Sequence, residues 1–209
     1  MLLKADLHVH SNHSDGKDCV RKILSVAIER KLDIISITDH NTVNGSLEAL
    51  EIVREEHLPI VILPGIEIST AQGHLLAYGI SRDIEPGIDM SEAVRIIRRW
   101  GGITSLAHPF QFYRHGATRL KFFKIVDCIE VFNAKSLTIF NKLSEYFCKR
   151  YGKGKTAGSD AHKAEFVGYG ITIINPNDLS MKGILSALKS GKSYVEGKTA
   201  MLKQILSKL

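Results

Sequence analysis

The chain has 209 residues, a formal charge of +6, 24% charged and 44% hydrophobic side chains, the balance of one globular domain with a sizeable core. Three cysteines (Cys19, Cys128 and Cys148) are too few and too far apart for a disulfide framework and point to a reducing compartment. No apolar run approaches the roughly 18 residues of a membrane span and none reads as a cleavable leader, so the expected location is cytoplasmic, with no membrane partner.

In chain order, Met1–Gly16 opens with a short strand that ends in Asp6-Leu7-His8-Val9-His10-Ser11, then Ser14-Asp15-Gly16. Alternation along a strand sends His8 and His10 to one face, where two imidazoles can grip one ion, with Asp15 in reach from the loop. An amphipathic helix is expected over Lys17–Lys31, with Val20, Ile23, Leu24, Ala27 and Ile28 at helical spacing. Leu32–Ile37 is an apolar strand tipped by Asp39-His40. Asn44–Glu55 reads as helix, Pro59–Leu63 as a β-run, and Pro64-Gly65 turns into Ile66-Glu67-Ile68-Ser69. His74–Gly79 is a further strand, and Asp89 with Glu92 resembles a capping box for a helix reaching Trp100. Ile103–Ala107 ends at His108-Pro109, and a looser stretch, Phe110–Thr118, carries Arg114 and His115. Helix over Leu120–Val126, strand over Cys128–Phe132 and helix over Leu137–Arg150 follow. Lys149 to Lys155 is the densest basic run and reads as a solvated helix end, not a nucleic-acid groove. Thr156–Gly158 ends in Ser159-Asp160-Ala161-His162, Gly170–Ile174 is a last strand, Asp178–Ser190 a helix capped by Gly191, and Ala200–Leu209 a terminal helix.

This alternation of β-runs and helices is the pattern of an α/β fold with a parallel sheet, here expected to close into a barrel. The polar residues sit where such a barrel gathers its chemistry, at the C-terminal ends of different strands. Six of the nine histidines (His8, His10, His40, His74, His108 and His162) lie at or beside those ends, with Asp15, Asp39, Glu67, Glu130 and Asp160. So many imidazoles and carboxylates suit zinc, manganese or iron and exceed the needs of one ion. Glu130 reads equally as support for a cluster or as a strand cap.

Asp6-Leu7-His8-Val9-His10-Ser11, Ser14-Asp15-Gly16, Ile37-Thr38-Asp39-His40-Asn41, Pro64-Gly65-Ile66-Glu67-Ile68-Ser69, Ala107-His108-Pro109 and Gly158-Ser159-Asp160-Ala161-His162 together resemble the motifs of the PHP (polymerase and histidinol phosphatase) family. The resemblance implies one domain over 1–209, folded as a distorted (β/α)7 TIM-like barrel with a cluster of three divalent ions, Mn, Fe or Zn, at its C-terminal face. His8, His10, Glu67 and Asp160 would hold the first metal and the reacting centre. Glu67 would bridge to a second metal held by His74 and His108, and Asp15, His40 and His162 would hold the third. Asp6 and Asp39 would orient neighbouring imidazoles.

Such a cluster supplies a bridging hydroxide for attack on phosphorus, which suits hydrolysis of a phosphomonoester or phosphodiester. Arg114 and His115 are candidate substrate residues, since a guanidinium matches phosphate well. The motif wording is most similar to small nucleotide-acting members, so the expected partner is a small phosphorylated substrate, a nucleotide first and nucleic acid second. About thirty residues between the His74 and His108 strands leave no room for the lid such members usually carry. Alternatives are a 3′→5′ exonuclease-type domain, a histidinol-phosphatase-like enzyme and a non-catalytic RNA-binding barrel subunit.

Overall fold

The computed structural model describes residues 2–199. In chain order it contains β1 (Leu3–Val9), α1 (Val20–Glu29), β2 (Ile34–Ile37), α2 (Asn44–Glu56), β3 (Val61–Ile62), β4 (Gly65–Thr70), β5 (Gly73–Tyr78), α3 (Met90–Arg99) and β6 (Ile103–Leu106). A 3-10 turn (Phe112–Arg114) precedes α4 (Leu120–Ile125), β7 (Cys128–Asn133), α5 (Thr138–Arg150), β8 (Gly154–Gly158), β9 (Gly170–Ile174), α6 (Met181–Lys189) and β10 (Tyr194–Gly197). The helix expected over Ala200–Leu209 lies outside the described residues.

Local chemistry sets most boundaries. Val20, Ile23, Leu24 and Ala27 form the buried stripe of α1. The Asp89 side chain accepts from the amides of Ser91 and Glu92 and starts α3, while Glu92 itself pairs with Arg95 instead of closing a capping box. The last helix begins at a Ser180 cap, two residues later than Asp178, because the Ser180 hydroxyl accepts from the Gly183 amide. Gly191, at φ +71°, takes the left-handed turn that ends it.

The fold is mixed α/β, built on two five-stranded sheets, β10-β9-β1-β2-β3 and β4-β5-β6-β7-β8. β1–β2–β3 and β6–β7–β8 are parallel ladders with helical crossovers, as expected. β4–β5, β5–β6, β9–β1 and β9–β10 are antiparallel, which corrects the all-parallel expectation. Only Ala71 and Gln72 separate β4 from β5, far short of the dozen or more residues a parallel crossover needs. No continuous ladder joins the two sheets among the described residues. They meet at single parallel bridges, Val9 to Ala161 and His40 to Glu67, both at the ends where the polar motifs lie.

Between the sheets lies a core of Leu3, Ala5, Leu7, Ile34, Leu63, Leu76, Tyr78 and Ala107. Fully buried Tyr78 donates its hydroxyl to the Leu7 carbonyl at 3.0 Å and so ties β5 to β1. Two outer apolar layers pack helices on the sheets, α1 and α2 on one and α3 to α5 on the other. No helix among the described residues is long and apolar enough to cross a membrane.

Candidate metal centre

The bridges between the sheets deliver the polar tips to one place. The Asp160 amide donates to the His8 carbonyl at 2.8 Å and the His10 amide to the Ala161 carbonyl at 2.9 Å, locking β1 to the segment after β8. On the other side the Glu67 amide donates to the Asp39 carbonyl at 3.1 Å and the Asn41 amide to the Glu67 carbonyl at 2.9 Å. Gly158 permits the approach, since a Cβ there would stand 2.2 Å from the His8 Cβ. Backbone strain gathers here too. Asn41, His108, Phe110, His115 and Asp160 have φ of +58°, +27°, +69°, +54° and +53°, a region L-residues avoid unless neighbours enforce it.

Glu67 is the centre of the arrangement. Its Oε2 lies 3.1 Å from both His8 Nε2 and His10 Nε2, and those two nitrogens are 3.1 Å from each other. Its Oε1 lies 3.0 Å from His74 Nδ1 and 3.1 Å from His108 Nε2. Glu67, His8, His10 and His108 are buried, and His74 and His40 are partly open. The His162 Nε2 sits 2.8 Å from Asp15 Oδ2, and His40 Nε2 is 4.0 Å from the other oxygen of Asp15. Eight of the nine predicted ligand positions converge in overlapping groups: His8, His10 and Glu67; His10, Asp160 and His162; His10, Asp15 and His40; and His40, Glu67 and His74. The ninth, His108, joins them through Glu67 Oε1.

These donors fit divalent ions. Metal–ligand bonds of about 2.0–2.1 Å place neighbouring donor atoms roughly 3.0–3.4 Å apart, the spacing of the His8, His10 and Glu67 triangle. The Nδ1 atoms of His10, His40 and His108 are buried with no hydrogen-bond partner among the described residues, and that of His74 stands beside Glu67 Oε1 without forming a hydrogen bond. Orphaned imidazole nitrogens facing carboxylates are costly in a folded interior unless a cation completes them.

The side of the site around Asp160 is built differently. Asp160 Oδ2 accepts from Arg114 at 2.6 Å and from Asn133 Nδ2 at 2.9 Å, while Oδ1 lies 2.9 Å from Lys135 Nζ and 3.7 Å from His10 Nε2. Lys135, 8% exposed, also stands 2.6 Å from His162 Nδ1.

Charge follows geometry. Burial works to raise the Glu67 carboxyl, yet the charges of His8 and His74 and bonds from His10 and His108 hold it well below the usual range. Burial also opposes ionisation of Asp160, and Arg114, Lys135, His8 and His162 outweigh it. Burial disfavours the charged His8 imidazole, but Glu130, Glu67 and Asp160 hold its pKa well above normal. Burial and the nearby His162 charge push His10 down. Desolvation opposes the Asp15 carboxylate as well, but the His162 bond with the His10 and His40 charges lowers its pKa.

Two supporting carboxylates do something other than expected. Asp6 accepts the backbone amides of His8 at 3.3 Å, Ser159 at 3.0 Å and Gly168 at 2.6 Å, and touches no imidazole. Burial pushes its pKa up to about 6 despite those bonds. Asp39 clamps the loop after β1, accepting from the Ser11 amide and hydroxyl at 2.7 and 2.6 Å and from the Ser14 hydroxyl at 2.7 Å. Both short motifs place their carboxylate where it organises backbone. Glu130 takes the orienting role, since its Oε1 lies 2.8 Å from His8 Nδ1 and its Oε2 accepts the His108 amide at 2.6 Å. Holding the proton on Nδ1 leaves Nε2, beside Glu67, as the nitrogen that an entering cation would take. Arg114 does reach the cluster, and the His115 ring stacks on His74 at 5.7 Å. Asn133 and Lys135 escaped the sequence reading because Asn-Ala-Lys-Ser after a strand looks like any polar turn.

Residues 6–152 match the PHP domain family and residues 138–193 the PHP-associated family. The chain belongs to the PHP family. Its clustered imidazoles and carboxylates are groups that could hold metal ions, as a metal-dependent hydrolase of phosphoric esters in that family needs. The chain is 32% identical over 143 residues to an uncharacterized protein of Methanocaldococcus jannaschii, covering 63% of this chain and 82% of that one. A shorter match, 35% identical over 81 residues, is to the phosphoribosyl 1,2-cyclic phosphate 1,2-diphosphodiesterase of Eggerthella lenta, covering 36% of this chain and 30% of that protein. In fold it is similar to a two-domain protein from Bacteroides vulgatus containing a predicted PHP-like metal-dependent phosphoesterase, with TM-score 0.82 and 21% identity over 100% of this chain and 70% of that one.

Proposed function

We propose that the chain is one PHP domain over 1–209, a distorted TIM-like barrel of the (β/α)7 type, in which three divalent ions serve hydrolysis of a phosphomonoester or phosphodiester of a nucleotide. The observation that carries this reading is the placement of Glu67, whose two oxygens each face a separate pair of imidazole nitrogens at 3.0–3.1 Å. A carboxylate held that way is suited to bridge two cations. His8, His10, Glu67 and Asp160 would hold the first ion, Glu67, His74 and His108 the second, and Asp15, His40 and His162 the third. When bound, such ions lower the pKa of water and neutralise charge on the phosphoryl group.

The chain's own residues do the rest. Glu130 orients His8, and Asn133 and Lys135 fix Asp160 from the side away from His10. Arg114 is the guanidinium at the mouth of the site, and we assign it to the phosphoryl oxygens, which its planar fork matches. His115 stands beside it, on the solvent side of His74. Between β5 and β6 the chain holds only a loop and α3, which is little chain for a lid over the site. The E. lenta relative's name, a diphosphodiesterase of a cyclic ribose phosphate, supports a sugar-phosphate ester as substrate class.

The test is a hydrolysis panel with manganese: a simple aryl monoester, its bis-ester, nucleoside mono- and bisphosphates, and short oligonucleotides. Turnover that requires added metal, disappears with chelation and is lost in His8→Ala and Asp160→Ala is the expected result. Binding of no more than one equivalent of metal, or turnover indifferent to both substitutions, sinks the proposal.

A further inference from the structure

The 3-10 turn from Phe112 to Arg114 faces two environments. Arg114 points into the metal site, at 2.6 Å from Asp160 Oδ2, whereas Phe112 is 74% exposed and Tyr113 47%. Their rings meet edge to face with centroids 5.5 Å apart, and the Tyr113 ring lies 6.2 Å from that of Phe140.

This aromatic pair stands on a fixed support. The Phe110 amide donates to the Ala117 carbonyl at 3.1 Å, the Gly116 amide to the Gln111 carbonyl at 2.9 Å, and the His74 amide to the His115 carbonyl at 2.8 Å. The buried Gln111 side chain bonds the Ser136 hydroxyl. A Cβ on Gly116 would sit 2.4 Å from the His108 carbonyl oxygen, so the turn is pressed against a metal-facing segment. Beneath it Phe110 packs on Phe123 and Phe147 at 5.1 and 5.6 Å. The buried rings account for the packing, Phe112 adds little to it, and Tyr113 touches only its edge at Phe140.

Flat rings beside a guanidinium suit a ligand that is anionic at one end and aromatic at the other.

We propose that Phe112 and Tyr113 form a nucleobase-stacking platform at the mouth of the metal site, making the preferred substrates phosphoesters that carry a base next to the scissile phosphate. This inference rests on the assignment of Arg114 to phosphate. With a rise of about 2 Å per residue, Phe112 stands about 4 Å along the turn axis from Arg114, within the reach of one nucleotide. Stacking on a ring is tolerant of base identity because every base has a π-face. The platform therefore selects for a base, not for a particular one. The base can come from a free nucleotide or from the end of a single strand.

The test compares AMP, a 5′-phosphorylated pentanucleotide and ribose 5-phosphate, which keeps the phosphate and lacks the base. In Phe112→Ala and Tyr113→Ala, KM for AMP should rise on the order of tenfold with kcat little changed, the scale of one lost stack. KM for ribose 5-phosphate should stay where it is, and Tyr113→Phe should restore AMP. Equal losses on both substrates, or no change on either, overturn the platform. A second measurement needs no turnover: Phe112→Trp in a Trp100→Phe background, titrated in EDTA with AMP and with the pentanucleotide. Quenching by either supports the platform, and tighter binding of the pentanucleotide assigns it to strand ends. No quenching by either overturns it. If no substrate is hydrolysed the phosphoesterase reading fails, and this titration still decides the platform.

Discussion

The two halves of the metal site solve one problem in different ways. Around Asp160, the protein neutralises a buried carboxylate itself, with Arg114, Lys135 and Asn133 in contact. Around Glu67 no lysine or arginine is in contact among the described residues, and imidazoles with orphaned Nδ1 atoms face both oxygens. One half is complete as folded protein, and the other is complete only around cations. Metal dependence is therefore concentrated on the Glu67 side, and the Asp160 side acts as a preassembled wall.

The sharpest way to break that contrast is Glu67→Ala. It removes the one group shared by both pairs of imidazoles, and activity should fall beyond the roughly 100-fold limit typical of outer-sphere changes, with metal content falling in parallel by elemental analysis. On the other half, Lys135→Met leaves Asp160 buried with one cation fewer. Losing one partner of a buried pair costs about 3–5 kcal/mol, so the metal-free protein should unfold earlier in urea, and added manganese should recover part of the difference. Equal stability of wild type and Lys135→Met without metal would erase the distinction.

Glu130→Gln tests orientation. His8 keeps its position but loses a charged acceptor at Nδ1, and metal affinity should weaken about 10–100-fold by competition with a chromogenic chelator. The halves should also differ in protons. His8 has its pKa held well above 6.5, so at neutral pH it carries a proton that an entering cation must displace, and affinity should fall as pH falls. Asp160, with its pKa held well below 3.8, is already ionised and releases none. Calorimetry in buffers of different ionisation enthalpy should register about one proton from the Glu67 side. The smallest effect is a control outside the site. Asp89→Ala removes the cap of α3, and should cost about 1 kcal/mol and roughly 2–4 °C in Tm with activity unchanged.

The same contrast explains what could be read without coordinates. Histidines at the tips of apolar runs were legible because a strand buried on both faces tolerates a polar residue only at its end, and the nine candidate ligands do meet. Lys135 and Asn133 were hidden, since their role depends on β7 lying beside β8, a long-range pairing that no local pattern encodes. Asp6 and Asp39 show the opposite error. The family resemblance implied that they orient imidazoles, and in space they take backbone amides and hydroxyls instead. The antiparallel β4–β5 pair was written in its two-residue connection, but the rhythm of alternating strands and helices masked it. The strand β10 is four residues long and mostly exposed, too short for any periodicity.

The left-handed backbone at His108 and Asp160 has a consequence for how this chain can change over generations. Each such residue holds a conformation that costs on the order of 1–3 kcal/mol, and glycine would relieve it. While the cluster is needed, selection must keep the strained side chain. Once it is not, His108 can change to glycine and shed that strain, whereas Asp160 stays tied by the buried Lys135 and by Arg114, whose charges it balances. Retirement from metal binding would thus begin at 108, and a descendant that had taken it would show glycine there while still displaying an intact His8, His10 and Asp160.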